Sequence, residues 1–186
     1  MSEVDAVKRP DEIKLISHLL SIRCSQQMAD VWNIGLNLAL RISDLLSIKF
    51  SDIQGDRLVI KESKTGKQAN IKLNPKVLDN IKRIKEDHPL HIYLFQSYRN
   101  QQAINAIPKP LNRRSVTKAF ALVGEELKIA LGTHSMRKTR GYQLYQCTKD
   151  IGRVMKMLRH SSEGVTLRYI GITQDVIDND FIELEI

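Results

Sequence analysis

Apolar residues recur along this chain mostly with helical spacing and once with strand spacing. Ile13, Ile16, Leu19 and Leu20 share one helix face, with Asp11 as the expected N-cap. Met28, Val31, Trp32, Gly35 and Leu38 line a helix that follows Ser25, and helical character resumes after Arg41 and ends near Ile48. The period then changes. Leu58 and Ile60 alternate with Val59 and Lys61, and Ala69, Ile71 and Leu73 alternate with Asn70 and Lys72. The intervening Ser63-Lys64-Thr65-Gly66-Lys67 is turn-forming, so the pair predicts a β-hairpin. Asn74-Pro75 starts a helix with Val77, Leu78, Ile81 and Ile84 inward, Asn as cap and Pro in the first turn. Residues 87–112, with Pro89, Pro108 and Pro110, read as irregular except for a short extended piece at Ile92–Phe95. Val116, Phe120, Val123 and Leu127 mark the next helix. Thr133 is the expected cap of one starting at His134, and Asp150 opens another with Ile151, Val154, Met155 and Leu158 on one stripe. A short break is expected at Gly164, between His160 and Tyr169. The pattern predicts a mainly α fold with a small antiparallel β-sheet, an α+β architecture without internal repeats.

The length of 186 residues suits one domain with a full core. The expected division is a flexible N-terminus over 1–10, a domain over 11–173 and a C-terminal tail over 174–186. With 42% hydrophobic and 27% charged residues the composition is globular. The apolar runs at Leu15–Ile22 and Ile34–Leu40 are interrupted by polar residues, which excludes them as membrane spans. Glu3 and Asp5, with no apolar run after them, argue against a signal peptide. Cys24 and Cys147 match no zinc spacing, so a reduced, cytoplasmic protein is expected. Charge adds more. The net charge is +8, yet the tail after Thr173 holds Asp175, Asp178, Asp180, Glu183 and Glu185 with no base. The body is therefore more basic than the total shows, which suits a polyanion such as DNA, RNA or an anionic membrane. An aromatic content of 5% weighs against a platform for stacking single-stranded bases.

Several residues carry candidate chemistry, each with a plainer reading beside it. His134 and Arg137, three apart at a helix start, can grip one small anion together with free backbone N–H groups. An isolated pair of that kind is more often a solvated helix start. His160 alone reads as a helix C-terminal residue, and Tyr169 as a half-buried aromatic. Arg41 sits among apolar residues in Ala39-Leu40-Arg41-Ile42-Ser43-Asp44, where the plain reading is a buried ion pair with Asp44. Lys64 alone is a solvated turn lysine.

Taken in order, Arg41 in its apolar segment, Lys64 in the hairpin, His134-Ser135-Met136-Arg137, Leu158-Arg159-His160 and Arg168-Tyr169 resemble the tyrosine recombinase or phage integrase family, from about Ile13 to Ile172. The resemblance implies that Arg41 and Arg137 clamp a scissile phosphate in double-stranded DNA and that Lys64 protonates the leaving oxygen. It also implies that His134 and His160 complete the pocket, Tyr169 is the nucleophile, and Asp44 supports the first arginine. His134 is the expected helper for deprotonating Tyr169. Lys67, Arg113, Arg114, Lys118 and Arg159 are the expected further DNA contacts. No metal and no other cofactor is expected, since the positive charge comes from side chains and the sequence shows neither a phosphate-binding Gly loop nor a carboxylate cluster suited to Mg²⁺. A homo-oligomer on DNA is implied, with the tail passed to a neighbouring protomer. The tail pattern itself fits either an edge strand (Ile182, Leu184, Ile186) or a helix face (Ile177, Phe181, Leu184), and packing on its own domain competes with exchange. Two departures stand out: Arg159 and Ala39 occupy places where relatives usually have glycine. Most relatives also carry a DNA-clamping domain ahead of the catalytic one, which leaves a truncated chain or a short subgroup resembling fimbrial invertases. Competing functions are type IB topoisomerase-like relaxation and a catalytically idle DNA-binding protein.

Overall fold

A computed structural model describes residues 4–97 and 107–184. Helix α1 (Pro10–Arg23) packs on α2 (Gln26–Leu38). Pro10 starts α1 because the N–H it lacks has no helical partner at a first turn anyway. Asp11, expected as the cap, instead lies in that first turn and accepts from Arg9. Ser25 does cap α2, accepting from the Met28 N–H at 3.4 Å. After α3 (Ile42–Leu46) a 3-10 turn at Phe50–Asp52 leads into β1 (Ile53–Gln54), β2 (Arg57–Lys61) and β3 (Gln68–Lys72). They form one antiparallel sheet in that order. The predicted hairpin is β2–β3, with Leu58 opposite Ile71 and Ile60 opposite Ala69, so all four side chains share the inner face. Strand β1 has two residues, too few to show alternation in the sequence.

Asn74 caps α4 (Pro75–Asp87) through the Val77 N–H at 3.0 Å, and Asn112 caps α5 (Arg113–Leu127) through Arg114. Ile92–Phe95 is no regular strand. It contributes an isolated bridge between Lys49 and Tyr93 while Leu94 and Phe95 are buried. Residues 98–106 of the irregular stretch and 185–186 of the tail lie outside the described residues. Helix α6 (Ser135–Thr148) starts one residue later than expected, with His134 at the N-cap position and no cap bond from a side chain there. Ser135 Oγ instead accepts from the Gly132 N–H at 3.1 Å. Asp150 caps α7 (Ile151–Leu158). The following break falls at residues 159–162, not at Gly164, which lies in the first turn of α8 (Glu163–Ile170). The tail forms a helix, α9 (Gln174–Glu183). The expected flexible N-terminus is anchored in its described part: Val7 is buried because its apolar side chain joins the core, and its N–H donates to Thr139 Oγ1 at 2.8 Å.

Among the described residues, two apolar clusters hold the fold. The larger one includes Leu20, Trp32, Ile34, Leu45, Phe95, Val116 and Phe120. There Trp32 meets Phe120 edge-on at 5.6 Å and donates its indole N–H to the Ile13 carbonyl. The smaller joins Ala39, Val154, Leu158 and Ile170. Helices α2 and α6 approach closely at Gly35, where an added Cβ would lie 2.3 Å from Met136 Sδ. Helices α2, α5, α6 and α7 each end on a non-glycine residue in the left-handed region: Ala39, Lys128, Lys149 and Arg159. Among the described residues, no helix is long and apolar enough to cross a membrane.

Candidate active site

A cleft of about 500 Å³ opens between the head of α3, the β2–β3 turn, the start of α6 and the α7–α8 loop. Arg41, Lys64, His134, Arg137, His160 and Tyr169 all line it, together with Arg113 and Arg159. Each comes from an element end or a turn, where the backbone changes direction and a side chain can face a shared space.

Arg137 is the deepest of these, with 2% of its surface exposed. It reaches there because Gly35 lets α6 come close to α2. Its Nη1 donates to the Ala39 carbonyl at 2.5 Å and its Nη2 to the Leu158 carbonyl, the ends of α2 and α7. The guanidinium is thus fixed by two helix C-termini, whose carbonyls have no helical partners of their own. Burial foremost, with the nearby charge of Arg41, lowers its pKa to about 10, so it stays protonated at neutral pH. Both terminating residues, Ala39 at φ 51° and Arg159 at φ 53°, adopt the conformation that glycine accepts without strain. The glycines usual in the resembling family therefore have a backbone reason at these two positions.

Arg41 does not pair with Asp44. Its Nη1 donates to Glu62 Oε2 at 3.1 Å, and the other oxygen of that carboxylate accepts from Arg159 Nε at 2.5 Å. Asp44, buried, instead accepts from both the N–H (2.8 Å) and the hydroxyl (2.6 Å) of Ser63, which fixes the turn carrying Lys64. Burial alone would push the Glu62 carboxyl up. Hydrogen bonds from Thr65 and Arg159, with the charges of Arg159 and Arg41, reverse this and hold it below the usual carboxylate range. Lys64 itself is exposed at the rim.

His160 packs edge-on against Tyr169, ring centroids 4.7 Å apart. Its Nδ1 lies 3.0 Å from Thr166 Oγ1, and that hydroxyl donates to the Ser162 carbonyl at 3.3 Å. Loss of water around the ring, then the charges of Arg137, Arg41 and Arg159, lower its pKa to about 4. Partial burial and the charges of Arg113, Arg137, Lys138 and Arg41 lower His134 as well. Both imidazoles are therefore neutral at physiological pH. Lys138 places its ammonium 5.6 Å from the Tyr169 ring centroid.

The further DNA contacts expected from the sequence are not all brought together. Arg113 and Arg159 line the cleft, Arg114 and Lys118 line a separate one beside Cys24, and Lys67 is exposed on the hairpin turn. Sequence reasoning missed Glu62 and Thr166. The only signal for Glu62 was an acid within an otherwise basic turn; Thr166 gave none. Among the described residues, no group of three or more His, Cys, Asp or Glu side chains is placed to hold a metal ion.

The fold is that of a tyrosine recombinase catalytic domain. The phage integrase family model matches residues 9–175, and the chain belongs to that family. Probable integrase/recombinase YoeC of Bacillus subtilis is 41% identical over 142 residues, which is 76% of this chain and 75% of that protein. Tyrosine recombinase XerS of Streptococcus sanguinis is 28% identical over 173 residues, 87% of this chain but 47% of XerS. Among solved structures, a lambda integrase dimer bound to a COC′ core site superposes with a TM-score of 0.71 at 18% identity, over 92% of this chain and 49% of that one. XerH bound to palindromic difH, in a post-cleavage complex, gives 0.70 at 16% identity over 98% and 54%. The chain thus spans about half the length of XerS and of these two structures.

Proposed function

We propose that this chain cuts and rejoins double-stranded DNA at a specific site through a 3′-phosphotyrosyl bond to Tyr169. One observation carries the reading: the two arginines, the lysine, the two histidines and the tyrosine, spread from Arg41 to Tyr169, line a single cleft. A phosphodiester repels nucleophiles, and its pentavalent transition state gathers negative charge on the non-bridging oxygens. Arg41 and Arg137 meet that charge with planar forks that stay protonated. Arg137 uses two of its five N–H groups on the Ala39 and Leu158 carbonyls, which aims the rest.

His160 is better placed than His134 to take the phenol proton. With Thr166 donating to the Ser162 carbonyl, its oxygen accepts from Nδ1–H of His160, which leaves the lone pair on Nε2. As that proton leaves, the Tyr169 oxygen bonds to phosphorus, the bond from phosphorus to the 5′ oxygen breaks, and Lys64 protonates the leaving oxygen. Attack by another 5′-hydroxyl reverses each step. His134, at the mouth, donates to a non-bridging oxygen.

The protein works on cytoplasmic DNA as a homo-oligomer, its tail docking on a neighbouring protomer. The end of α9 and the residue after it support this: Phe181, Ile182 and Leu184 are 82%, 73% and 70% exposed, so their own domain does not cover them. A nicked suicide duplex carrying the target site tests the chemistry. Wild-type protein is expected to become covalently attached, with EDTA present, and Tyr169→Phe is not. An adduct in the Phe variant, or loss of the adduct on chelation, overturns the reading. Relaxation of plasmids lacking any special site would assign a topoisomerase instead.

A further inference from the structure

We propose that Arg159 is a positioning residue for strand cleavage, acting through a buried carboxylate that it shares with Arg41. This rests on the function assigned to Tyr169 and extends it to a residue standing where glycine suits the backbone better. The Glu62 side chain is fully buried, whereas Arg41 and Arg159 are 19% and 20% exposed. One of its oxygens accepts from Arg159 Nε at 2.5 Å; the other accepts from Arg41 Nη1 at 3.1 Å and from the Thr65 hydroxyl at 2.8 Å. Its backbone closes the turn, the N–H donating to the Lys67 carbonyl and the carbonyl accepting from Gly66, each at 2.9 Å. A single carboxylate therefore ties together the head of α3, the turn that carries Lys64 and the loop that carries His160.

The conformation of residue 159 does not call for this side chain. At φ 53° a glycine is unstrained and an arginine is not. What arginine adds is a second cation on Glu62. With glycine there, both carboxylate oxygens turn toward Arg41 and draw its guanidinium back from the cleft. With Arg159 holding one oxygen, Arg41 commits one nitrogen to Glu62 and keeps the others toward the phosphate site. The bridge also relieves the mutual repulsion of Arg41 and Arg159, which stand close enough to share a carboxylate. A direct contact is the rival role, because Arg159 Nη2 is buried without a hydrogen-bond partner in the described structure.

A double-mutant cycle on the full chain separates the two. Arg159→Gly, Glu62→Gln and the double variant are compared for the rate of adduct formation on the nicked duplex, for DNA affinity and for melting temperature. Arg159→Gly is expected to slow cleavage about tenfold or more, as a displaced clamp does. Affinity should stay within about threefold, because one charge among many basic groups is lost. Melting temperature should change little, since removal of the backbone strain offsets the loss of one partner of buried Glu62. In the Glu62→Gln background the same change should slow cleavage no further. Full additivity overturns the proposal in favour of direct phosphate contact, and a wild-type rate in Arg159→Gly overturns it outright. Arg159→Lys, which keeps charge and bulk but not the Nε bond, should behave like Arg159→Gly; a wild-type rate there also overturns it. Amide exchange at Gly66 and Lys67 reads the bridge without any catalysis: it should quicken in Arg159→Gly. Unchanged exchange refutes the bridge even if Tyr169 proves not to be the nucleophile, whereas quickened exchange without an adduct in wild type refutes only the assigned function.

Discussion

The groups proposed to hold the phosphate and the group proposed to attack it stand on different foundations. Arg41 leads into α3, whose Ile42, Leu45 and Leu46 belong to the large cluster around Trp32 and Phe120, and Met136 ties the start of α6 to that same cluster. Tyr169 sits on α8, held by the smaller cluster of Ala39, Val154, Leu158 and Ile170, and α9 beyond it buries nothing among its described residues. Electrostatic stabilisation demands charges that need no rearrangement when the reaction occurs. Arg41 and the start of α6 accordingly rest on the large core, and the Arg137 guanidinium is locked in addition to the Ala39 and Leu158 carbonyls of the smaller one. A nucleophile that must be presented and withdrawn suits a weakly attached element.

Opening a cavity in each cluster separates their contributions. Phe120→Ala should destabilise the whole domain by about 3–5 kcal/mol in urea titrations. Ile170→Ala should shift that midpoint far less, while accelerating amide exchange in α8 and slowing cleavage. Equal global losses would show one cooperative unit instead of two. Next in size, Arg137→Lys keeps the charge but loses the fork that spans the Ala39 and Leu158 carbonyls. Single-turnover cleavage should fall about 10²–10³-fold, with little change in binding.

A smaller effect concerns pH. Native His160 refuses a proton until about pH 4, whereas in the unfolded chain it accepts one near 6.5. Between these values the unfolded state binds more protons, so the stability contributed by neutral His160 is present above 6.5 and lost as pH falls toward 4. Comparing wild type with His160→Gln by urea midpoints should show a shallower decline in the variant; identical slopes would remove His160 from the account. Smallest of all, Ala39→Gly should raise stability by about 1 kcal/mol by relieving the left-handed helix end, read as a modest gain in melting temperature.

Much of this architecture is legible in the sequence, and the misreadings have physical causes. Helices with a repeating apolar stripe and a capping side chain, such as those opened by Ser25, Asn74 and Asp150, stand where the pattern puts them. The break before α8 was misplaced because the usual signal for a helix end is a glycine. Here Arg159 takes the left-handed conformation and Gly164 lies inside the helix. The residues of the cleft were recognisable only as an ordered set, since each alone has a plainer explanation. Their supports were not. Glu62 meets Arg41 across 21 residues and Arg159 across 97, and Asp44 finds Ser63 across 19, distances over which no local pattern carries information.

The anchoring of Arg137 has a consequence for the order in which the protein matures. Its guanidinium is held by carbonyls 98 residues before it and 21 after it. Neither half of the pocket can be laid down by local folding, and closing such long loops comes late. During synthesis, a chain that has emerged only through the sheet carries Arg41 and Lys64 but lacks Arg137 and the proposed nucleophile Tyr169. The proposed capacity to break DNA therefore requires the contacts of α6, α7 and α8 as well as those of the sheet.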